Sequence, residues 1–204
     1  IPYLTYLSKK KGWYKYAGNW NQKNPPPGYF IQRFFLKNQT KPVTINGHWK
    51  KQLSHCYSFE NPTLFESEID EGVEFFNNKN YTNKLNFCFV GRIEEAKGVL
   101  TILKAFSKIK DFSKIGFVHF VGDGNNVLKF KKLAEKIDIN IIFHGGLPRD
   151  KVFEIYKKSH IFLLPSTASE GFPKVIAEAI CFGCVPIVSS VSAIDHYIQN
   201  KKNG

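Results

Sequence analysis

Methionine is missing from all 204 residues, even at position 1. The chain also stops at Gly204 with a pattern under way, so it reads as a piece of a longer protein. Long apolar runs are missing too. No stretch approaches the roughly 18 residues needed to cross a bilayer, and Ile1–Tyr6 leads straight into Lys9, Lys10 and Lys11 without a secretory signal pattern. Cysteine is scarce, four in all, and two of the four lie in apolar segments. No disulfide framework is expected, and a reducing cytoplasm is the expected compartment. Acid is absent from the first 53 residues. Ten cations stand there without an Asp or Glu: Lys9, Lys10, Lys11, Lys15, Lys23, Arg33, Lys37, Lys41, Lys50 and Lys51.

Aromatics are interleaved with these cations: Trp13, Tyr14, Tyr16, Trp20, Tyr29, Phe30, Phe34, Phe35 and Trp49. A surface of this kind attracts phosphates, whether on nucleic acid, anionic lipid or a lipid diphosphate. A solvated lysine-rich surface over an aromatic core reads equally well. Residues 1–80 are irregular in texture. They carry a Pro-rich loop at Asn24–Gly28, turns at Asn46-Gly47 and Asn61-Pro62, short strands at Trp13–Tyr16, Val43–Ile45 and His55–Phe59, and a helix near Tyr29–Leu36. Asn77–Lys84 is polar and reads as a linker.

From Leu85 onward short apolar runs alternate with helical periodicity. Strands are expected at Leu85–Val90, Ile115–Val121, Ile141–Phe143, Ile161–Leu164 and Val185–Val188, and helices at Lys97–Lys110, Asn125–Ile137, Arg149–Lys158, Pro173–Phe182 and Ser192–Gln199. Continuous apolar strands imply a sheet covered on both faces. Alternating strand and helix gives right-handed crossovers, hence an α/β fold with a doubly wound parallel sheet. Ligands of such sheets bind at the carboxyl ends of the strands.

The unusual residues follow the strands. Gly91-Arg92 comes after the first, with Lys97-Gly98 at the next helix start. There a glycine allows a tight turn, free helix N–H groups attract anions, and two full charges suit a diphosphate. Gly122, in Val121-Gly122-Asp123-Gly124, and Gly146-Leu147 end the next two strands. After the fourth strand come Glu170, Gly171, Phe172 and Pro173, with Glu178 eight residues beyond Glu170. Glu178 then lies about one and a half turns into a helix, near the strand-end crevice. One carboxylate can face a sugar while the other accepts bonds from ribose hydroxyls. Cys181 and Cys184 sit at a helix end with no second pair, which argues against zinc or redox chemistry. No metal ligand set is expected.

The string Glu170-Gly-Phe-Pro-Lys-Val-Ile-Ala-Glu178-Ala, followed by Gly183-Cys-Val-Pro186-Ile-Val188, resembles the signature of retaining GT-B glycosyltransferases of the family 4 type. Gly91-Arg92, Lys97-Gly98, the Val-Gly-Asp-Gly turn and Asn203-Gly204 fall in that family's order. The resemblance spans about residues 85–204. It implies that residues 81–204 form a C-terminally incomplete domain for a nucleotide diphosphate sugar, and that residues 1–80 are part of an acceptor-side domain with its linker. It further implies that Arg92 and Lys97 hold the diphosphate, Glu178 the ribose, and Glu170 the transferred sugar beside Gly171–Pro173. Gly146-Leu147 would lie against the base. Neither metal nor cofactor is implied. The expected donor is a UDP- or GDP-linked sugar, and the expected acceptor a lipid-linked saccharide at the inner face of an anionic membrane, in envelope or exported polysaccharide synthesis. Nucleic acid is not an expected partner. The competing readings are a GT-B-fold sugar-nucleotide epimerase and, on charge alone, a nucleic-acid-binding module. Ser192-Ala-Ile-Asp-His196 departs from the Gly-Gly-x-x-Glu that relatives often carry.

Overall fold

A computed structural model describes residues 11–60, 62–169 and 171–204. The chain divides into two compact units. The first holds residues up to Pro62 together with Ser169–Phe172 and Ser190–Ile198, and the second holds Thr63–Ala168, Pro173–Ser189 and Gln199–Gly204. Sequence texture places the boundary at residue 80, whereas this division falls at residue 62.

In the first unit, three short parallel strands, β1 (Tyr14–Tyr16), β2 (Val43–Ile45) and β3 (Cys56–Ser58), pair in the order β1-β2-β3. Val43, Ile45, Tyr16, Trp20, Leu36 and Cys56 form its small core. Helix α1 (Pro27–Lys37) opens on a proline, whose missing N–H is no loss in a first turn. It buries Arg33 and Leu36 but exposes Tyr29, Phe30, Ile31 and Phe34. The Arg33 guanidinium is satisfied by the carbonyls of Trp20 and Gln22, each at 2.8 Å.

The second unit is the doubly wound sheet. Strands β4 (Leu85–Val90), β5 (Ile115–Val121), β6 (Asn140–Phe143), β7 (Ile161–Leu164) and β8 (Val185–Val188) are all parallel, in the order β6-β5-β4-β7-β8. Cys88, Phe89, Phe120 and Phe162 are fully buried, which explains why these strands read as unbroken apolar runs. The order steps outward from β4 to β6 and then reverses from β4 to β8, so the switch point lies between β4 and β7.

Helix α3 (Val99–Phe106) buries Val99, Ile102, Leu103 and Phe106, the stripe expected of one helix face. It packs beside α4 (Val127–Ala134), while α5 (Arg149–Lys158) packs beside α6 (Lys174–Cys181). Right-handed crossovers put these two pairs on opposite sheet faces. Tyr156, wholly buried, stacks with Phe182 and meets Phe162 edge-on.

Two expectations change. A helix, α2 (Glu66–Asn78), stands where sequence texture is irregular and enters the expected linker. The Glu68 carboxylate caps its start by accepting the Phe65 N–H at 2.8 Å. The expected helix at Ser192–Gln199 shrinks to a 3-10 turn at Ile194–His196, because Ser192 is left-handed at φ 58. All four cysteines are free. Among the described residues no helix is long and apolar enough to cross a membrane.

Candidate functional site

The carboxyl ends of three neighbouring strands are laced together by their backbones. The Gly91 N–H donates to Val121 at 3.0 Å, the Ile93 N–H to Asp123 at 2.9 Å, and the Gly122 N–H to Gly145 at 2.8 Å. Gly122 has φ 125, and a Cβ there would collide with the Gly91 carbonyl oxygen, so only glycine fits. Asp123 adds a side-chain staple by accepting the Gly146 N–H at 2.9 Å. This role for Asp123 was not visible in the motif.

Across the switch point the loops after β4 and β7 are also joined. The Ala96 carbonyl accepts the Thr167 N–H at 2.9 Å, the Ala168 N–H at 3.2 Å and the Ser166 hydroxyl at 3.2 Å. Gly98, left-handed at φ 88, lies so close under Pro165 that a Cβ would strike its carbonyl. The loops at the strand ends are therefore tied to one another through backbone on both sides of the switch point, where ligands of such sheets bind.

Arg92 and Lys97 stand in that loop, and Gly98 is the N-cap of α3. Arg92 is largely exposed and pairs with Glu94 at 3.1 Å, an exposed pair of small energetic weight. Lys97 ends a 3-10 turn at Glu95–Lys97 and is half-buried. Burial pushes its ammonium below the usual lysine range, the Arg92 charge pushes it further, and Glu94 opposes both. Two cations that disfavour each other at a helix N-terminus form a place where an anion relieves repulsion.

Glu178 is buried, five residues into α6. Its Oε1 accepts the Thr63 hydroxyl at 2.9 Å and the Arg149 Nη1 at 2.8 Å, and its Oε2 faces the Tyr156 hydroxyl at 3.5 Å. Arg149 is the first residue of α5 and also bonds to Glu68 of α2, so three helices meet at its guanidinium. Sequence reasoning singled out Glu178 but missed Arg149, Thr63 and Glu68.

The expected site residues separate into groups. Gly91, Arg92, Lys97, Gly122 and Gly146 come together at the ends of β4, β5 and β6. Leu147 is half-buried just ahead of Pro148, the N-cap of α5. Pro173 is the N-cap of α6 rather than its first helical residue. Gly171 and Phe172 fall in the first unit. There Gly171 accepts the Ala193 N–H at 3.4 Å, and the Phe172 ring lies 4.7 Å from Tyr197. Glu170 lies outside the described residues. His119 and His144 form a pair at 3.0 Å. Burial, then His144 and Lys158, bring His119 down to about 4.

Comparison with known proteins follows the same lines. Residues 70–204 match the family model for glycosyl transferases group 1. An uncharacterized glycosyltransferase of Methanocaldococcus jannaschii is 31% identical over 126 residues, covering 61% of this chain and 32% of that protein. The lipopolysaccharide 1,2-N-acetylglucosaminetransferase of Salmonella typhimurium is 27% identical over 125 residues, covering 57% of this chain and 33% of the relative. The chain thus spans about a third of the length of these curated relatives. Among solved structures, that of Anabaena HepE in complex with UDP and glucose matches with a TM-score of 0.69 over 98% of this chain and 58% of the other. At 14% identity that likeness shows the fold alone.

Proposed function

The chain belongs to the glycosyl transferases group 1 family, and from that premise we propose that it carries the donor site of a retaining, metal-independent enzyme that moves a hexosyl group from a nucleotide diphosphate sugar to a saccharide acceptor. The observation that carries this reading is the Arg92 and Lys97 pair beside the N-terminus of α3, at the switch point of a parallel sheet. Departure of the nucleotide puts negative charge on the diphosphate, which two cations and a helix dipole would meet. They would supply the neutralisation that a divalent cation supplies elsewhere. Glu178 would hold the ribose, with Gly146 and Leu147 against the base, and Glu170, Gly171 and Phe172 would serve the sugar. UDP is the first nucleotide to try, since the Anabaena relative of similar fold is solved with UDP and glucose. The family match argues against a nucleic-acid-binding module.

The lipopolysaccharide enzyme among the relatives favours an acceptor on the way to an envelope or exported polysaccharide. The acid-free run of ten cations in residues 1–53 and the exposed Tyr29, Phe30, Ile31 and Phe34 of α1 favour work at the inner face of an anionic membrane. Titration calorimetry with UDP and GDP on the whole protein, in chelator and then in Mg²⁺, tests the donor site. Binding in chelator is the expected result. Binding that vanishes in chelator and returns with metal would overturn this account of the diphosphate.

A further inference from the structure

Arg149 stands where helix electrostatics disfavour it. It is the first residue of α5, and a cation in a first turn opposes the macrodipole. Its surroundings reverse that penalty. Glu68 of α2 grips it at two points, Nε to Oε1 at 2.8 Å and Nη2 to Oε2 at 2.9 Å. Nη1 donates to Glu178 of α6 at 2.8 Å, Nη2 also reaches the Thr63 carbonyl, and the guanidinium lies 4.6 Å over the Phe153 ring. The two carboxylates hold Arg149 well above its ordinary pKa. A two-point grip on a planar fork fixes direction as well as distance. The side chains of Glu68 and Glu178 are only 16% and 10% exposed, against 41% for Arg149, so the carboxylates are shielded while the guanidinium stays partly open to water.

The consequence falls on the Glu178 carboxylate. Arg149 and the Thr63 hydroxyl both bond to Oε1, while Oε2 faces the buried Tyr156 hydroxyl at 3.5 Å, so partners on both oxygens hold the carboxylate in one orientation. A carboxylate that must accept ribose hydroxyls has to present a lone pair in a fixed direction, and a free glutamate rotates about its last torsion. We propose that Arg149, clamped by Glu68, is a positioning residue that fixes the direction in which the Glu178 carboxylate meets the ribose hydroxyls of the donor nucleotide. This rests on the reading of Glu178 as the ribose partner.

The test compares UDP with 2′,3′-dideoxyuridine diphosphate by titration calorimetry on the whole protein, as wild type, Arg149→Leu, Arg149→Lys, Glu68→Gln and Glu178→Ala. Glu178→Ala should weaken UDP and spare the dideoxy analogue. Arg149→Leu should weaken UDP about tenfold, the scale of one hydrogen bond to a charged group, and also spare the analogue. Arg149→Lys and Glu68→Gln should fall between, since each keeps part of the clamp. The ratio of the two affinities is measured within one protein, so a general loss of folding does not mimic the effect. Equal weakening of both ligands by Arg149→Leu, or no weakening of UDP beside a clear effect of Glu178→Ala, would overturn the positioning role alone. If Glu178→Ala leaves UDP untouched, the ribose reading and this inference fall together.

Discussion

Replacing Lys97 with methionine should move function and stability in opposite directions. Methionine keeps the length of the side chain and removes the ammonium. In the folded chain that ammonium is disfavoured first by burial and then by Arg92, with Glu94 offsetting only part. The folded pKa is therefore lower than the unfolded one, and the penalty on folding is full at pH below the folded value. It fades as pH rises through that value toward the unfolded one. At pH 7 Lys97→Met accordingly removes a cost, and the ligand-free protein should melt at the same temperature or higher. Binding tells the other half. A hydrogen bond between ions contributes about 1.5–3 kcal/mol, so losing one contact to a diphosphate should weaken UDP by about 10- to 150-fold. Differential scanning fluorimetry without ligand and titration calorimetry in chelator measure the two effects on one preparation. A melting point lowered by several degrees would show that Lys97 is a structural cation, and UDP affinity within twofold of wild type would show that the diphosphate lies elsewhere.

Glu178→Ala should raise KM for the donor while Glu170→Ala lowers kcat, because a ribose grip serves ground and transition states alike; equal effects of both on UDP affinity would refute the division of roles. His119, held near 4 when folded, stays neutral while the unfolded chain takes up a proton, so stability should fall as pH drops from about 6.5 toward 4. His119→Gln should flatten that acid limb in pH-dependent urea titrations, and an unchanged limb would assign the sensitivity to other groups. The whole protein should float with anionic vesicles at low salt and leave them at high salt, each basic residue near the surface contributing about 1 kcal/mol. Indifference to lipid charge and salt would remove the membrane proposal and leave the transfer proposal intact.

The three central strands were legible because their buried residues leave no polar alternation to confuse with a loop: Cys88, Phe89, Phe120 and Phe162 are all fully buried. Helix α2 was missed although its sequence carries a helical pattern. It buries Gly72, which packs so tightly on Cys181 that a Cβ would overlap its sulfur, while Ile69, Val73, Phe75 and Phe76 remain exposed. Ile69, Val73 and Phe76 do recur at helical spacing in the sequence, so the pattern was there to be read even though the stripe stays largely exposed. A further signal was local, since Glu66 and Glu68 sit in the first turn, where a carboxylate meets free N–H groups. Helix α1 inverts the same rule by turning Arg33 inward onto backbone carbonyls.

At the site, the legible residues were those whose chemistry is complete in themselves or in their immediate chain neighbours. Gly122 is needed for its missing Cβ, and Arg92 and Lys97 are proposed for charge at a helix start; each can be argued from position along one strand-loop-helix unit. Asp123, Arg149 and Glu68 acquire their roles only from partners 23, 29 and 81 residues away, and no local pattern carries that information. Arg149 nevertheless left one trace in the sequence. A cation at the first position of a helix contradicts the dipole, and such a contradiction persists in a fold only where nearby carboxylates outweigh it. Here two do, and one of them is the carboxylate already singled out for the ribose. A cation that breaks this local rule is thus a pointer to the carboxylates that hold it.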